Sequence, residues 1–188
     1  MSIQAPPPPQ HGSPSGSSAI GDAQPVKSRS RYGDTVYMLD GRLHRVDGPA
    51  WVALNGDTEW RQAGLLHRLD GPAMEFADGG REWWVGGVRH RDGGPAVEHP
   101  SGMAEWWYRG TRHRVDGPAV FRPNGHEQWW YRNQLHRVDG GPAETLSDGT
   151  RRWLVHGDLQ KVAWPTPKGL LAWRDGVADG PAADGAGR

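Results

Sequence analysis

The chain has 188 residues, and its 22 acidic side chains balance its 22 lysines and arginines, so the formal net charge is zero. No whole-molecule field would attract nucleic acid or an anionic membrane, and we expect neither a membrane nor a long nucleic acid as a partner. The sequence contains no cysteine, which excludes disulfide bonds and thiolate metal sites.

The first 31 residues differ in composition from the rest. They are rich in proline, glycine and serine, as in APPPPQHGSPSGSS, and they offer almost nothing apolar to bury. Such a composition predicts a disordered tail over residues 1–31. No signal-peptide pattern and no apolar run of about 18 residues occurs, so we expect a cytoplasmic protein.

The centre of the chain repeats itself every 23 residues. A fixed period of this size is typical of a repeat array, in which each unit covers the apolar surface of its neighbour. The repeat letters decay after Gly157, which predicts an array over residues 32–165 and a degenerate cap and tail over residues 166–188. The period is most regular in the histidine row: His44, His67, His90, His113 and His136.

Each unit has a turn signal at its middle. Asn-Gly and Asp-Gly pairs favour tight hairpin turns because both residues tolerate positive φ. Aromatic residues follow each turn, and glycine and proline are too frequent for helices. We therefore predict an all-β meander of about ten strands, one hairpin for each repeat. The turn pairs are Asn55-Gly56, Asp78-Gly79, Ser101-Gly102, Asn124-Gly125 and Asp148-Gly149.

A Leu-His-Arg-x-Asp-Gly-Pro-Ala string runs over residues 43–50 and 66–73, and over 135–143 with one extra glycine. With the glycine-punctuated hairpins, it resembles a bacterial and phage variant of the MORN repeat. The resemblance implies an elongated, curved single antiparallel sheet that serves as a binding scaffold. Some members of the variant resemble antitoxins or immunity proteins. The third unit departs from the string, because Asp92-Gly93 replaces the usual order of an apolar residue and Asp.

Two neighbouring aromatic rows should point to opposite faces of the sheet. The first row is aromatic in every unit and is predicted to be core: Tyr37, Trp60, Trp83, Trp106, Trp129 and Trp153. The second row varies, and it is either an exposed interface stripe or a second buried face. Its candidate binding residues, with the flanking arginines, are Trp84, Trp107, Trp130, Arg61, Arg109 and Arg132.

Histidine, arginine and aspartate recur together, which is a combination suited to acid–base work. However, neighbouring units lie about 10 Å apart in a sheet of hairpins, too far for their histidines to share a metal at about 2 Å. We therefore interpret the row as a structural ladder and expect no metal and no cofactor. Its members are His44, His67, His90, His113, His136, Asp47, Asp70, Asp116 and Asp139.

Three functions remain in competition. The leading hypothesis is a non-enzymatic scaffold that binds another protein, such as a toxin or a host factor, in an antitoxin, immunity or phage-inhibitor role. The second is a binder of nucleotides, single-stranded nucleic acid or glycans, in which tryptophan rings stack on the ligand and the repeat arginines hold a small phosphorylated ligand. The third is a hydrolase that uses one His/Arg/Asp set.

Overall fold

The structure is a computed structural model, and it describes residues 23–167, 169 and 171–175. Within these residues there are 23 β-strands and no helix. In chain order the strands are β1 (Val26–Arg29), β2 (Thr35–Leu39), β3 (Arg42–Leu43), β4 (Trp51–Val52), β5 (Thr58–Glu59), β6 (Arg61–Gln62), β7 (Leu65–Leu66), β8 (Met74–Glu75), β9 (Arg81–Glu82), β10 (Trp84–Val85), β11 (Val88–Arg89), β12 (Val97–Glu98), β13 (Ala104–Glu105), β14 (Trp107–Tyr108), β15 (Thr111–Arg112), β16 (Val120–Phe121), β17 (Glu127–Gln128), β18 (Trp130–Tyr131), β19 (Gln134–Leu135), β20 (Glu144–Thr145), β21 (Arg151–Val155), β22 (Asp158–Pro165) and β23 (Leu171–Asp175).

One long antiparallel sheet carries the array. Its order is β1-β2-β4-β5-β8-β9-β12-β13-β16-β17-β20-β21-β22-β23, and β3 pairs with β2 at its side. The turn pairs predicted from Asn-Gly and Asp-Gly connect strands of this sheet, for example β4 to β5 and β8 to β9. The prediction of an elongated all-β meander of hairpins is therefore confirmed.

The estimate of about ten strands was too low, because each repeat holds a second, smaller hairpin. The strand after the turn breaks at the first aromatic residue: the Trp60 N–H donates to Ala73 O in the main sheet, and Trp60 O accepts from His67 N–H. The chain beyond Trp60 then folds back as β6 and β7. The equivalent small hairpins are β10–β11, β14–β15 and β18–β19.

The small hairpins close through two residues that both have positive φ, which matches the tight turn that suits the twist of paired strands. Ala63 and Gly64 have φ of 49° and 85°, and Arg109 and Gly110 have 49° and 79°. An arginine in this left-handed region is uncommon and is associated with functional sites.

The array therefore has two long edges of different character. The hairpin edge consists of the turns within the main sheet, such as residues 53–57. The loop edge consists of the small hairpins together with the His-Arg loops, such as residues 61–72. Because an antiparallel meander alternates direction at every strand, all turns of one kind lie on the same edge.

The boundaries of the array differ from the prediction at the N-terminal end. Val26–Arg29, assigned to the disordered tail, forms β1 and pairs with β2. Residues 1–22 of the predicted tail lie outside the described residues. At the other end β22 pairs with β23, which belongs to the predicted cap. Residues 168, 170 and 176–188 also lie outside the described residues.

A narrow line of small residues forms the centre of the sheet. Five alanines, one from each Pro-Ala step, are fully buried: Ala50, Ala73, Ala96, Ala119 and Ala143. The largest side chain that is fully buried among the described residues is Val120. Apolar burial is thus limited, and contacts between repeats must supply much of the stability.

The repeat arginine packs between an aromatic ring and a glycine. In each unit its guanidinium carbon lies 3.6–4.1 Å from the centroid of the first-row ring. The other side of the same group lies against the glycine of the Gly-Pro-Ala step. A Cβ built at Gly117 would stand 2.5 Å from Arg114 Cζ. The glycine is required because the guanidinium occupies the space of a side chain.

We predict that Gly117→Ala lowers the free energy of unfolding by about 1–3 kcal/mol, because the added methyl displaces Arg114 from its ring. Gly94→Ala is the matched control, since the equivalent Cβ would stand 3.1 Å from Arg91 Cζ, and it should be less destabilising. Urea unfolding followed by tryptophan fluorescence measures both. Equal destabilisation of the two variants, or a Gly117→Ala variant that is more stable than the parent chain, would contradict the packing of Arg114 between its aromatic ring and Gly117.

Candidate binding surface along the loop edge

The repeat histidines join consecutive units. The Nδ1 atom of His44 accepts a hydrogen bond from the Ala63 N–H at 3.1 Å, at the first turn residue of the next small hairpin. His113 Nδ1 likewise accepts from the Arg132 N–H at 3.3 Å. An Nδ1 that accepts a hydrogen bond carries no proton, so this contact requires the tautomer with its proton on Nε2. The same contact recurs for His67 with Gly86 and for His90 with Arg109.

The last histidine of the row behaves differently. His136 stacks on His156 with a centroid separation of 4.4 Å, and its buried Nδ1 has no hydrogen-bond partner. The Nδ1 of His156 lies 3.1 Å from Gln134 Oε1. The ladder geometry therefore changes at the unit where the repeat letters decay.

Backbone hydrogen bonds reinforce each step between units. Gly64 N–H donates to Leu43 O at 2.8 Å, which ties one small hairpin to the preceding one. Arg68 N–H donates to Trp84 O at 3.0 Å, while the equivalent bond from Arg91 N–H to Trp107 O is longer, at 3.3 Å. With the 3.4 Å contact of His90 Nδ1, the step out of the third unit is the loosest of those that follow this pattern.

The ladder aspartates pair with the repeat arginines. Arg45 Nε donates to Asp47 at 2.8 Å, and Arg114 Nε to Asp116 at 2.9 Å. A hydrogen bond from the arginine lowers the pKa of each of these carboxyls. The carboxylates are exposed, so each pair contributes little to stability. The other two pairs are Arg68–Asp70 and Arg137–Asp139.

The third unit lacks this pair because Gly93 occupies the aspartate position. Arg91 keeps the bonds to Pro95 O at 2.9 Å and to Glu98 at 2.6 Å, which Arg68 also makes to Pro72 O and Glu75. Asp92 lies 3.6 Å from the Nε2 of His90. The exchange of an apolar residue and Asp for Asp92-Gly93 thus removes the arginine–aspartate pair from the loop of the third unit.

These contacts leave the repeated histidines engaged in structure. In four of the five, Nδ1 is committed to a backbone N–H and does not point at a second reactive group. Across the part of the chain that the structure describes, no cluster of three or more His, Asp or Glu residues could hold a metal ion.

The second tryptophan row is half-buried and makes internal contacts. The indole N–H groups of Trp84 and Trp107 donate to Glu82 and Glu105, each at 2.8 Å. Trp130 donates to Gln128 in the same way at 3.1 Å. The row is thus partly covered: it is neither the fully exposed stripe nor the fully buried second face that the sequence left as alternatives.

Arginines fill the spaces between these tryptophans. Arg89 lies over Trp84 at 4.9 Å and over Trp107 at 5.4 Å, and Arg112 lies over Trp107 at 4.7 Å and over Trp130 at 5.5 Å. Both guanidinium groups also bond to a glutamate of the main sheet, Arg89 to Glu82 and Arg112 to Glu105. A partner would have to break these contacts to stack on the rings.

The remaining candidate arginines do not join this stripe. Arg61 is held by Glu59 at 2.6 Å and by Gly64 O at 2.7 Å. Arg109 and Arg132 are exposed at the tips of small hairpins, over the rings of Tyr108 and Tyr131. These tyrosines follow Trp107 and Trp130 directly, so they face the opposite side of the sheet.

Sequence reasoning missed a row of exposed aliphatic residues on the loop edge. It occupies the x position of His-Arg-x-Asp, and its side chains project from the surface with nothing to cover them. The signal was present, since an apolar letter recurred in a polar loop where no packing role required it. The exposed fractions are 68% for Val46, 80% for Leu69, 54% for Val115 and 53% for Val138.

Two cavities lie between these loops. The larger one, about 640 Å³, lies beside the third unit and is lined by Leu69, His90, Arg91, Asp92 and Arg109, among others. A smaller one of about 280 Å³ lies one repeat earlier, against Val46 and Trp60. The loop edge therefore combines exposed apolar side chains, concave surface and arginines.

No protein-family model matches the chain, and no curated protein matches it. Over the residues that are described, no helix is long and apolar enough to cross a membrane.

We predict that acid weakens the histidine ladder. Burial, aided by the positive charge of Arg132, lowers the pKa of His113 from its ordinary value. The unfolded chain therefore takes up this proton at a higher pH than the folded one, so stability is complete above the unfolded pKa. It falls as the pH drops below about 6.5 towards the folded pKa.

His113→Gln tests this point, because glutamine keeps a neutral acceptor at every pH. The loss of unfolding free energy between about pH 7.5 and about pH 5 should be smaller in the variant than in the parent chain. Urea titrations at both pH values measure the difference. An identical loss in both proteins would contradict the role assigned to His113.

We also predict that Trp107→Ala destabilises the array by about 2 kcal/mol or more, because it removes a half-buried ring on which two arginines rest. Leu69→Ala should change stability by less than about 0.5 kcal/mol, since Leu69 is mainly in solvent. Thermal unfolding of both variants checks the contrast. If Trp107→Ala left stability unchanged, the second tryptophan row would not be part of the internal packing and would again be a candidate interface.

Proposed function

We propose that the chain is a non-enzymatic scaffold that binds another protein through the loop edge of the array. The contact would be made by the aliphatic row, Val46, Leu69, Val115 and Val138, with the exposed arginines Arg109 and Arg132 beside it. The single observation that carries the proposal is the exposure of that row.

The length of this row supports a protein rather than a small molecule as the partner. Two strands for each repeat place neighbouring repeats about 10 Å apart, so the row extends over about 40 Å from Val46 to Val138, with Asp92 in place of an aliphatic residue in the third unit. Aliphatic side chains exposed along such a length gain free energy when a partner covers them. A small ligand could reach only one or two of them.

The engagement of the polar residues supports a binding role over catalysis. The histidines, arginines and aspartates that suggested a hydrolase are occupied by contacts repeated from unit to unit. An enzyme needs one site that differs from its neighbours in the groups it offers to a substrate. Some members of the MORN-repeat variant that the sequence resembles look like antitoxins or immunity proteins, which agrees with an inhibitory role against a toxin or a host factor.

A nucleotide or other phosphorylated ligand is the second candidate, and the larger cavity favours it by size, since about 300–1,000 Å³ is usual for small ligands. Two exposed carboxylates on its lining, Asp70 and Asp92, oppose a doubly charged phosphate. Titration of the tryptophan fluorescence with a nucleotide panel at two salt concentrations tests this alternative.

The test of the protein-binding proposal removes the aliphatic row by changing Val46, Leu69, Val115 and Val138 together to Ser. We expect the variant to fold, because these side chains are exposed, and to lose at least about tenfold of the protein captured from a lysate of the native host. Circular dichroism verifies the fold.

Leu54→Ser is the matched control, since Leu54 is 72% exposed but lies on the hairpin edge. It should leave capture unchanged. If the fourfold variant captures the same proteins in the same amounts as the parent chain, the loop edge is not the binding surface.

A further inference from the structure

The cavity beside the third unit has an unusual charge arrangement. Arg68 is matched by Asp70 at 2.9 Å and Glu75 at 3.1 Å. Arg91 is matched by Glu98 at 2.6 Å. Within the described part of the chain, Arg109 has no carboxylate within ion-pair distance, and its nearest recorded partner is the Tyr108 ring at 5.2 Å.

The walls of this cavity suit a short side chain with one charge at its tip. Of the three arginines of the lining, Arg68 and Arg91 are already paired with carboxylates, so Arg109 carries the positive charge that no carboxylate matches. Leu69 and Val88 add apolar surface that is 80% and 44% exposed. A single carboxylate would balance the charge, and the methylene groups of its stem would cover the apolar wall.

The backbone holds Arg109 in place before any partner arrives. Its N–H is bonded to His90 Nδ1, and the next residue, Gly110, donates its N–H to Arg89 O at 2.9 Å. The side chain thus begins from a fixed turn at the mouth of the cavity, so binding costs less ordering of the backbone.

The irregular loop of the third unit explains why the cavity lies here. In other units an aliphatic residue and an aspartate occupy positions that Asp92 and Gly93 hold in this one. Gly93 has no side chain to pair with Arg91, and Asp92 turns towards His90. The loop therefore lacks both the aliphatic side chain at position 92 and the carboxylate at position 93 that the neighbouring loops have at the equivalent positions.

We infer that this cavity receives an acidic side chain, Asp or Glu, of the partner protein, with its carboxylate on Arg109 and its stem against Leu69 and Val88. The inference rests on the proposed function and specifies the chemistry of the partner at one repeat. Phosphate is the less suitable anion, because Asp70 and Asp92 are 81% and 85% exposed at the rim and would repel a dianion.

The direct test uses the full chain labelled with ¹⁵N and follows the arginine Nε–Hε resonances. The probes are the blocked pentapeptide Ala-Ala-Glu-Ala-Ala, its Gln counterpart and inorganic phosphate. The Glu peptide should shift the Arg109 resonance saturably, with a Kd near ~1 mM for a single exposed contact. The Gln peptide and phosphate should shift it much less.

Arg132 supplies the internal control, since it occupies the same turn position one repeat later, beside an intact Val115-Asp116 loop. Its resonance should not respond specifically. Equal shifts at Arg109 and Arg132, or an equal response to the Gln peptide, would overturn the inference. A stronger response to phosphate than to the Glu peptide would overturn it as well.

Three variants extend the test. Arg109→Gln should weaken Glu-peptide binding about tenfold, whereas Arg132→Gln should not change it. The double change Asp92→Val with Gly93→Asp gives this loop the sequence of the neighbouring units, and the φ of +74° at Gly93 must then change as well. This variant should abolish the peptide response at Arg109, and circular dichroism verifies that it is folded. Retained binding in the double variant would contradict the assignment of the cavity to the irregular loop.

Failure of this inference is distinguishable from failure of the proposed function. If the fourfold serine variant captures proteins as well as the parent chain but the Glu peptide still shifts Arg109, the loop-edge proposal falls and the carboxylate site stands. If capture is lost but the peptide has no effect, the loop edge binds its partner without an acidic anchor in this cavity.

Discussion

The hydrogen bond from a turn N–H of one repeat to the histidine Nδ1 of the preceding repeat is the contact on which the array depends. Most strands of the sheet are only two residues long and bury little more than a line of alanines, so apolar packing alone cannot hold the array together. The histidine bond, the arginine between ring and glycine, and two backbone bonds connect each unit to the next. Each contact is modest in free energy. Their repetition along the chain makes the array stable, and it also explains why the same polar letters recur.

This constraint separates the residues that hold the array together from those that are available for recognition. Histidines, arginines, aspartates and the second tryptophan row are occupied by their neighbours in the structure. The side chains of the aliphatic row are exposed, and among the described residues no carboxylate pairs with the Arg109 guanidinium. Under the proposed function, changes at the x position and at the turn tips would alter the specificity for the partner. Asp92 and Gly93 are such a change, and the histidine bond and the Arg91–Trp107 backbone bond of this step are the longest of their series.

Much of the fold could be predicted from the sequence because period and turn chemistry are local signals. The Asn-Gly and Asp-Gly turns and the alternation of the two aromatic rows needed no tertiary information. Two of the small hairpins close through Ala63-Gly64 and Arg109-Gly110, pairs whose positive φ at the first position has no strong sequence signature. Asp40-Gly41 and Gly86-Gly87, which close two others, are recognised turn signals that sequence reasoning overlooked. The occupation of Trp107 depends on Glu105 and on Arg112 across a hairpin, which only the register reveals. The aliphatic row was visible, but its exposure depends on the loop conformation.

Native-state hydrogen exchange at the turn amides measures the central contact most directly. If the histidines bridge the repeats, the N–H groups of Ala63, Gly86, Arg109 and Arg132 should be protected to a degree comparable with the main-sheet amides of Ala73 and Ala119. In His113→Ala, protection of the Arg132 amide should fall while that of Ala63 persists. Exchange of all four turn amides at the rate of an unstructured peptide would show that the histidines do not hold the units together, and the assignment of the polar rows to structure would be wrong.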